Sequence, residues 1–256
     1  MNRKEDYIAV FDSGVGGISV LRHLRAQMPG EKFLYFGDSA NAPYGTRSAE
    51  EVRQLTGAAV EKLMKRGLKA LVIACNTATA AAIGMLRETY PDMIVIGIEP
   101  ALKVGAEHYP GGRVGVMATP VTLHQEKFGR LLERFDHSCE VAEIPAPGLV
   151  ELIESGKADS PETEAFLRDL LAPWQGKLDA LVLGCTHYPF VSKALHRVLG
   201  DKVELVDGGI GTARETKRRL EQAGLLENGP GEVIFENSMD TEQMLNLSRS
   251  LLNTGR

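Results

Sequence analysis

Two segments of this chain, 110 positions apart, carry the same local pattern: LKALVIACNTAT from Leu68 and LDALVLGCTHYP from Leu178. Aligned at those leucines, five of the first ten residues are identical, and in each an apolar run of strand character ends in a small residue, a cysteine and then polar groups. A second pair has a similar offset. IAVFDSGVGG follows Tyr7 and RVGVMATPVT opens at Arg113, both apolar strands that end in small, hydroxyl or acidic residues. Self-similarity at a fixed spacing marks a repeated supersecondary unit. The chain is therefore expected to form two related α/β halves facing each other, with Cys75 and Cys185 each at a strand end.

Further strands are expected at Ile8 to Phe11, Lys32 to Phe36, Ala70 to Ala74, Ile94 to Ile98, Val114 to Met117, Glu140 to Ile144, Ala180 to Leu183, Glu204 to Val206 and Val233 to Phe235. Most of these runs are short and continuous, as parallel strands covered on both faces should be. Helical patterns separate them at Ser48 to Lys65, Thr77 to Tyr90, Leu123 to Phe135, Pro161 to Leu171 and Val191 to Leu199. Ser48 with Glu51 reads as a capping box, and Ser160-Pro161 as a second helix start. Such alternation predicts βαβ units in doubly wound, mostly parallel sheets. No low-complexity linker divides the halves; the expected division is residues 1–99 with 210–256, and 100–209.

Composition narrows the class. With 256 residues, 43% of them hydrophobic, the chain can bury a substantial core. A net charge of −5 and no dense basic stretch beyond Lys217 to Arg219 argue against a nucleic-acid partner. No run of about 18 apolar residues suggests a membrane span, and the N-terminus has no signal-peptide character, so a cytoplasmic location without membrane association is expected. Three cysteines form neither a disulfide framework nor a zinc-ligand spacing, so no metal is expected.

In open parallel sheets, ligands bind beyond the carboxyl ends of the strands, and the polar residues of this chain collect there. Asp12-Ser13-Gly14-Val15-Gly16-Gly17 suggests a dinucleotide loop but departs from it at Ser19, and Asp12 puts a carboxylate where a pyrophosphate would approach. A plain turn and a small-molecule site that uses helix-start N–H groups both remain open. Cys139 reads as a small core residue. Cys75 and Cys185 differ, because each runs directly into polar residues, Asn76-Thr77 or Thr186-His187, that can bind a ligand and tune a thiol. His187 can stabilise a thiolate.

Two thiols across one pocket suit a particular reaction. Nucleophilic catalysis would leave the second cysteine idle, and a disulfide would bring the sulfurs to about 2 Å, with no room for substrate. Stereoinversion at a carbon bearing an acidic hydrogen needs a base on one face and an acid on the other, which two thiols supply without a cofactor.

The motifs FDSGVGG, YFGDSANAPYG, ACNTAT, GIEPA, LIESG and GCTHYP, in this order, resemble the glutamate racemases of the cofactor-independent aspartate/glutamate racemase family. The resemblance runs from about Ile8 to the C-terminal helix. It implies two flavodoxin-like domains with the active site in the cleft between them, and interconversion of L- and D-glutamate, the latter for peptidoglycan synthesis. It implies that Cys75 serves the D-glutamate side and Cys185 the L-glutamate side, with Asp12 and His187 as their helpers. Ser13, Tyr44, Gly45, Asn76, Thr77, Thr119, Thr122 and Thr186 are implied as substrate contacts, joined by Asp12 and His187. Tyr44 can equally be a packing aromatic. Glu154 matches the acidic residue of the LIE motif, with a solvated helix charge as the alternative, and Glu151 does not match. A homodimer is an association state left open.

Ala146, Gln125 and Phe128 depart from the usual Cys, Ser and Tyr, which bears on the packing of the second domain but leaves the cysteines untouched. The short N-terminus lacks the extension of relatives activated by a peptidoglycan precursor, so that regulation is not expected. Two alternatives stand beside this reading: an isomerase of a related substrate such as aspartate or a hydantoin, and a non-catalytic binding protein of the gyrase-inhibitory kind reported for some family members.

Overall fold

The computed structural model describes residues 3–98, 101–123, 129 and 139–253. The elements run β1 (Tyr7–Asp12), α1 (Ile18–Gln27), β2 (Lys32–Gly37), α2 (Ala49–Met64), β3 (Leu68–Ile73), α3 (Asn76–Thr89), β4 (Ile94–Gly97), α4 (Leu102–His108), β5 (Arg113–Ala118) and α5 (Pro120–Leu123). They continue with β6 (Glu140–Pro145), α6 (Leu149–Glu154), α7 (Pro161–Leu171), β7 (Ala180–Leu183), α8 (Ser192–Leu199), β8 (Glu204–Asp207), α9 (Gly209–Gln222), β9 (Glu232–Asn237) and α10 (Glu242–Asn253). Short 3-10 turns include Tyr44–Thr46 and Tyr188–Val191. The helix expected from Leu123 to Phe135 falls almost entirely outside the described residues, as do Gln125 and Phe128.

The fold is α/β with parallel sheets. Residues Met1–Glu99 with Gly209–Arg256 form one compact unit, and Pro100–Gly208 form a second. The first holds a five-stranded sheet in the order β4-β3-β1-β2-β9, the second a four-stranded sheet in the order β6-β5-β7-β8. Reversing the second order gives β8-β7-β5-β6, which matches β4-β3-β1-β2 strand for strand. The registers agree too: Ala70 pairs with Ile94 and Ala180 with Glu204, the same 110-residue offset on both strands. Ile8 pairs with Ala70 and Val114 with Ala180. The repeated sequence pattern is thus a repeated topology, to which the first unit adds β9.

Full burial explains why the repeat is so apolar. Every residue of β3 is buried, and so is every residue of β7. Each such Leu, Val or Ile contributes about 1.5–3 kcal/mol by leaving water. Lys69 is an exception in kind: it is 0% exposed within β3, and its ammonium pairs with the equally buried Glu31 carboxylate. Lys69 also donates to Leu225 O at 3.2 Å, and Glu31 accepts from Glu227 N at 2.8 Å, which fastens the segment leading to β9. At the start of α2, Ser48 Oγ accepts from Glu51 N (3.2 Å) while Glu51 Oε2 accepts from Ser48 N (2.9 Å), completing the expected capping box. Ser160 caps α7, with Pro161 in its first turn.

Candidate active-site residues and family membership

In the first unit, the parallel arrangement brings the carboxyl ends of β1, β2 and β3 to one edge of the sheet. Cys75, two residues beyond β3, is the N-cap of α3, with extended backbone (φ −65°, ψ 122°). Its Sγ accepts from Ala78 N at 3.4 Å and lies 3.4 Å from Ser13 Oγ. A sulfur at the start of a 14-residue helix sits at the positive end of the helix dipole, which favours thiolate. Asp12 ends β1, fully buried, with Oδ1 accepting from Gly14 N at 2.9 Å. Gly17 is required beside it: a Cβ there would lie 2.7 Å from the Asp12 Cβ.

Tyr44 is 1% exposed and donates its hydroxyl to Asp38 Oδ2 at 2.6 Å. Burial, reinforced by the hydrogen bond and charge of Asp38, raises its pKa far above the ordinary tyrosine value, so it remains a phenol. Asn41 Nδ2 donates to the same carboxylate at 3.0 and 3.1 Å. Asn76, Thr77 and Ser13 are buried, and Gly45 is half-buried. Asn76 Oδ1 is buried and accepts no hydrogen bond among the described residues, an acceptor suited to a donor from a bound molecule.

In the second unit, Cys185 follows β7 after Gly184, which has no room for a side chain: a Cβ would meet the Ala118 Cβ at 2.8 Å. Cys185 is half-buried and Sγ lies 3.7 Å from His187 Nδ1; on the other side of the ring, Nε2 is 2.9 Å from Glu154 Oε1. Burial alone would drive the His187 pKa down. The hydrogen bonds and charges of Cys185 and Glu154 outweigh it, and the pKa stands well above the ordinary histidine value. The raised pKa favours the imidazolium form of a ring held between the Cys185 sulfur and the Glu154 carboxylate. Thr119 Oγ1 and Thr122 Oγ1 are 3.0 Å apart after β5, and Thr186 is buried beside the cysteine.

The described structure brings Asp12, Ser13, Tyr44, Gly45, Cys75, Asn76 and Thr77 together within the first unit. Within the second it joins Cys185, His187 and Glu154, with Thr186 between the first two in sequence, and places the Thr119–Thr122 pair after the neighbouring strand β5. Glu154 contacts His187, whereas Glu151 is exposed. Cys139 is buried and its thiol pKa is raised by burial, as befits a core residue. Sequence reasoning did not single out Asp38 as a site residue, the acceptor for both Tyr44 and Asn41; the available signal was a carboxylate one residue past a buried strand, five positions before the Pro-Tyr-Gly turn. Among the described residues, no group of three or more His, Cys, Asp or Glu side chains could hold a metal ion, and no helix is long and apolar enough to cross a membrane.

Comparison with known proteins gives a consistent result. The profile of the family described as Asp/Glu/Hydantoin racemase matches residues 17–216. A glutamate racemase of Clostridium botulinum (strain Alaska E43 / Type E3) is 43% identical over 255 residues, 98% of this chain and 99% of that protein. Among solved structures, glutamate racemase isoform RacE1 of Bacillus anthracis superposes with a TM-score of 0.88 at 31% identity, covering 98% of this chain and 96% of the other. Escherichia coli glutamate racemase, in complex with L-glutamate and the activator UDP-MurNAc-ala, has a TM-score of 0.87 at 32% identity over 96% of this chain and 95% of its own. Since the matched profile spans most of the chain and relatives of this similarity cover nearly all of it, the chain belongs to the Asp/Glu/Hydantoin racemase family.

Proposed function

We propose that this chain is a glutamate racemase that interconverts L- and D-glutamate by proton transfer at Cα, using Cys75 and Cys185 as the paired acid and base. The observation that carries the reading is that two strand-end thiols at repeat-related positions each lie against a different set of polar partners. Cys75 has the start of α3 and Ser13; Cys185 has the imidazolium of His187 backed by Glu154. The near-full-length glutamate racemase relatives favour glutamate as substrate.

One thiolate removes the Cα proton while the other thiol returns a proton to the opposite face. After turnover, the protonation states of the two sulfurs are exchanged. In the L to D direction, Cys185 is the base, its thiolate paired with His187, and Cys75 is the acid, with Asp12 as its helper. The reverse direction exchanges these roles. The buried Asn76 carbonyl oxygen is suited to the substrate ammonium, and the hydroxyls of Ser13, Thr77, Thr119, Thr122 and Thr186, with the Tyr44-Gly45 turn, to its carboxylates. Thiol chemistry supplies both the acid and the base, so the reaction calls for no organic cofactor. Its product would supply D-glutamate to peptidoglycan synthesis.

The decisive experiment follows Cα–H exchange into deuterated water from each glutamate enantiomer, with D- and L-aspartate alongside and no cofactor added. Deuterium entering both glutamates together with racemisation is the expected outcome. Exchange restricted to aspartate would reassign the substrate, and no exchange from either amino acid would remove the two-thiol mechanism.

A further inference from the structure

Both units contain a fully buried tyrosine whose phenol points to the same position of the repeated fold. That position is the residue just past the second strand of each repeat: Asp38 N donates to Asp12 O (2.9 Å), and Ala146 N donates to Ala118 O (3.1 Å). Tyr44 reaches Asp38 from the loop that follows β2, donating at 2.6 Å. Tyr188 reaches Ala146 out of the turn that follows Cys185 and donates to its carbonyl oxygen at 3.3 Å. The second repeat has no carboxylate at this place, and the backbone carbonyl takes over as acceptor.

We propose that Tyr188 is the positioning residue of the Cys185 half of the chemistry: its phenol ties the Cys185-Thr186-His187 turn to the segment from which the Glu154 helix begins. The kinetic part of this proposal rests on the racemase reading above. Helix α6 has only six residues, and its N-cap, Gly148, has a left-handed backbone (φ 89°) and no side-chain cap. A helix this short does not hold itself, so its place depends on packing and on its entry segment. Both involve Tyr188, which is 0% exposed and shares a core cluster with Ala146, Leu149 and Ile153. Its backbone N–H also donates to Cys185 O at 3.1 Å. One residue thus braces the turn that carries the sulfur and imidazole against the helix that ends in their carboxylate partner. Burial, followed by the charges of Cys185 and Glu151, keeps the phenol protonated and therefore a donor.

Tyr188→Phe keeps the ring and removes the donor. The expected result is a fall in kcat of about three- to tenfold, the size of one neutral hydrogen bond, with KM little changed and with His187 titrating at lower pH by NMR. The effect should also be one-sided. Elimination from a glutamate bearing a leaving group at Cβ should slow for the L form, served by Cys185, and keep its rate for the D form, served by Cys75. A merely structural role predicts equal slowing of both eliminations with an unchanged His187 titration, and that outcome would overturn the proposal. In a Glu154→Gln background, Tyr188→Phe should leave the His187 titration where Glu154→Gln alone puts it; a further shift would also overturn the proposal. If the wild-type chain does not racemise glutamate, the racemase reading fails, and the His187 titration still decides the role of Tyr188.

Discussion

Glu154→Gln isolates one charge. The substitution preserves side-chain shape and an oxygen acceptor 2.9 Å from His187 Nε2, and removes only the negative charge that helps keep the ring protonated. A Coulomb estimate at that separation with an effective dielectric of about 20 gives nearly 6 kcal/mol. That is an upper limit, because the Glu154 side chain is 22% exposed and water screens it. A hydrogen bond to a charged group is worth about 1.5–3 kcal/mol and a neutral one about 0.5–1.5, so the variant gives up about 1–2 kcal/mol of preference for imidazolium. This is a factor of about 5 to 30 in that equilibrium.

The sign follows from the direction of the shift. The folded His187 pKa is raised above its unfolded value of about 6.5. The pairing therefore stabilises the fold fully below that pH and is lost as pH rises through the raised folded value. In Glu154→Gln, the loss should be complete at lower pH, and the alkaline limb of kcat/KM should move down with the folded His187 pKa. The two enantiomers have equal free energy, so their equilibrium constant is one and kcat/KM must fall by the same factor from either side. NMR titration of the His187 ring, with pH–rate profiles from both glutamates, measures both effects. A His187 titration that is the same in wild type and Glu154→Gln would refute the reasoning.

Other perturbations test other links. Cys75→Ser and Cys185→Ser should each abolish racemisation, yet each should retain elimination from a Cβ-substituted glutamate of one configuration: the D form for Cys185→Ser and the L form for Cys75→Ser. The same preference in both variants would contradict the assignment of faces. Lys69→Met leaves the Glu31 carboxylate buried without its cation and should cost about 3–5 kcal/mol in urea denaturation. Lys69→Met combined with Glu31→Leu should recover most of that loss; if Lys69→Met alone is as stable as wild type, the buried pair does not fasten the return segment.

The nine strands of the described residues were legible because most are short apolar runs flanked by small or polar residues, and the repeat supplied the grouping of eight of them. The agreement extends to register, since the 110-residue offset recurs in the pairing of β3 with β4 and of β7 with β8. Lys69 was not legible in the same way. A lysine second in a strand reads as a solvated end, and only the closure of the N-terminal segment and the Leu225 to Glu227 segment over it, with Glu31 as partner, makes its burial tolerable. Asp38 was hidden for a related reason: its importance comes from Tyr44, which approaches from a loop whose path local pattern does not determine.

The two cysteines show a further limit of reading a repeat by alignment. The alignment pairs Cys75 with Cys185, and the structure supports it: Ala74 N donates to Phe11 O and Gly184 N to Met117 O, both at 2.8 Å. Continued along the same strands, that correspondence sets Asp12 against Ala118 and Thr77 against His187. The proposed charged helpers are therefore not exchanged by the repeat. In the first unit the carboxylate comes from the end of β1; in the second, the imidazole comes from the turn after the cysteine and its carboxylate from α6. Parallel strands make this divergence physically cheap, because several loops converge on the same sheet edge and any of them can place a charge near the strand-end sulfur. What the fold preserves is the location of the sulfur, while the group that tunes it is free to come from a different loop. An alignment of the halves consequently identifies the thiols and misassigns their partners, and distances within each unit are needed to identify those partners.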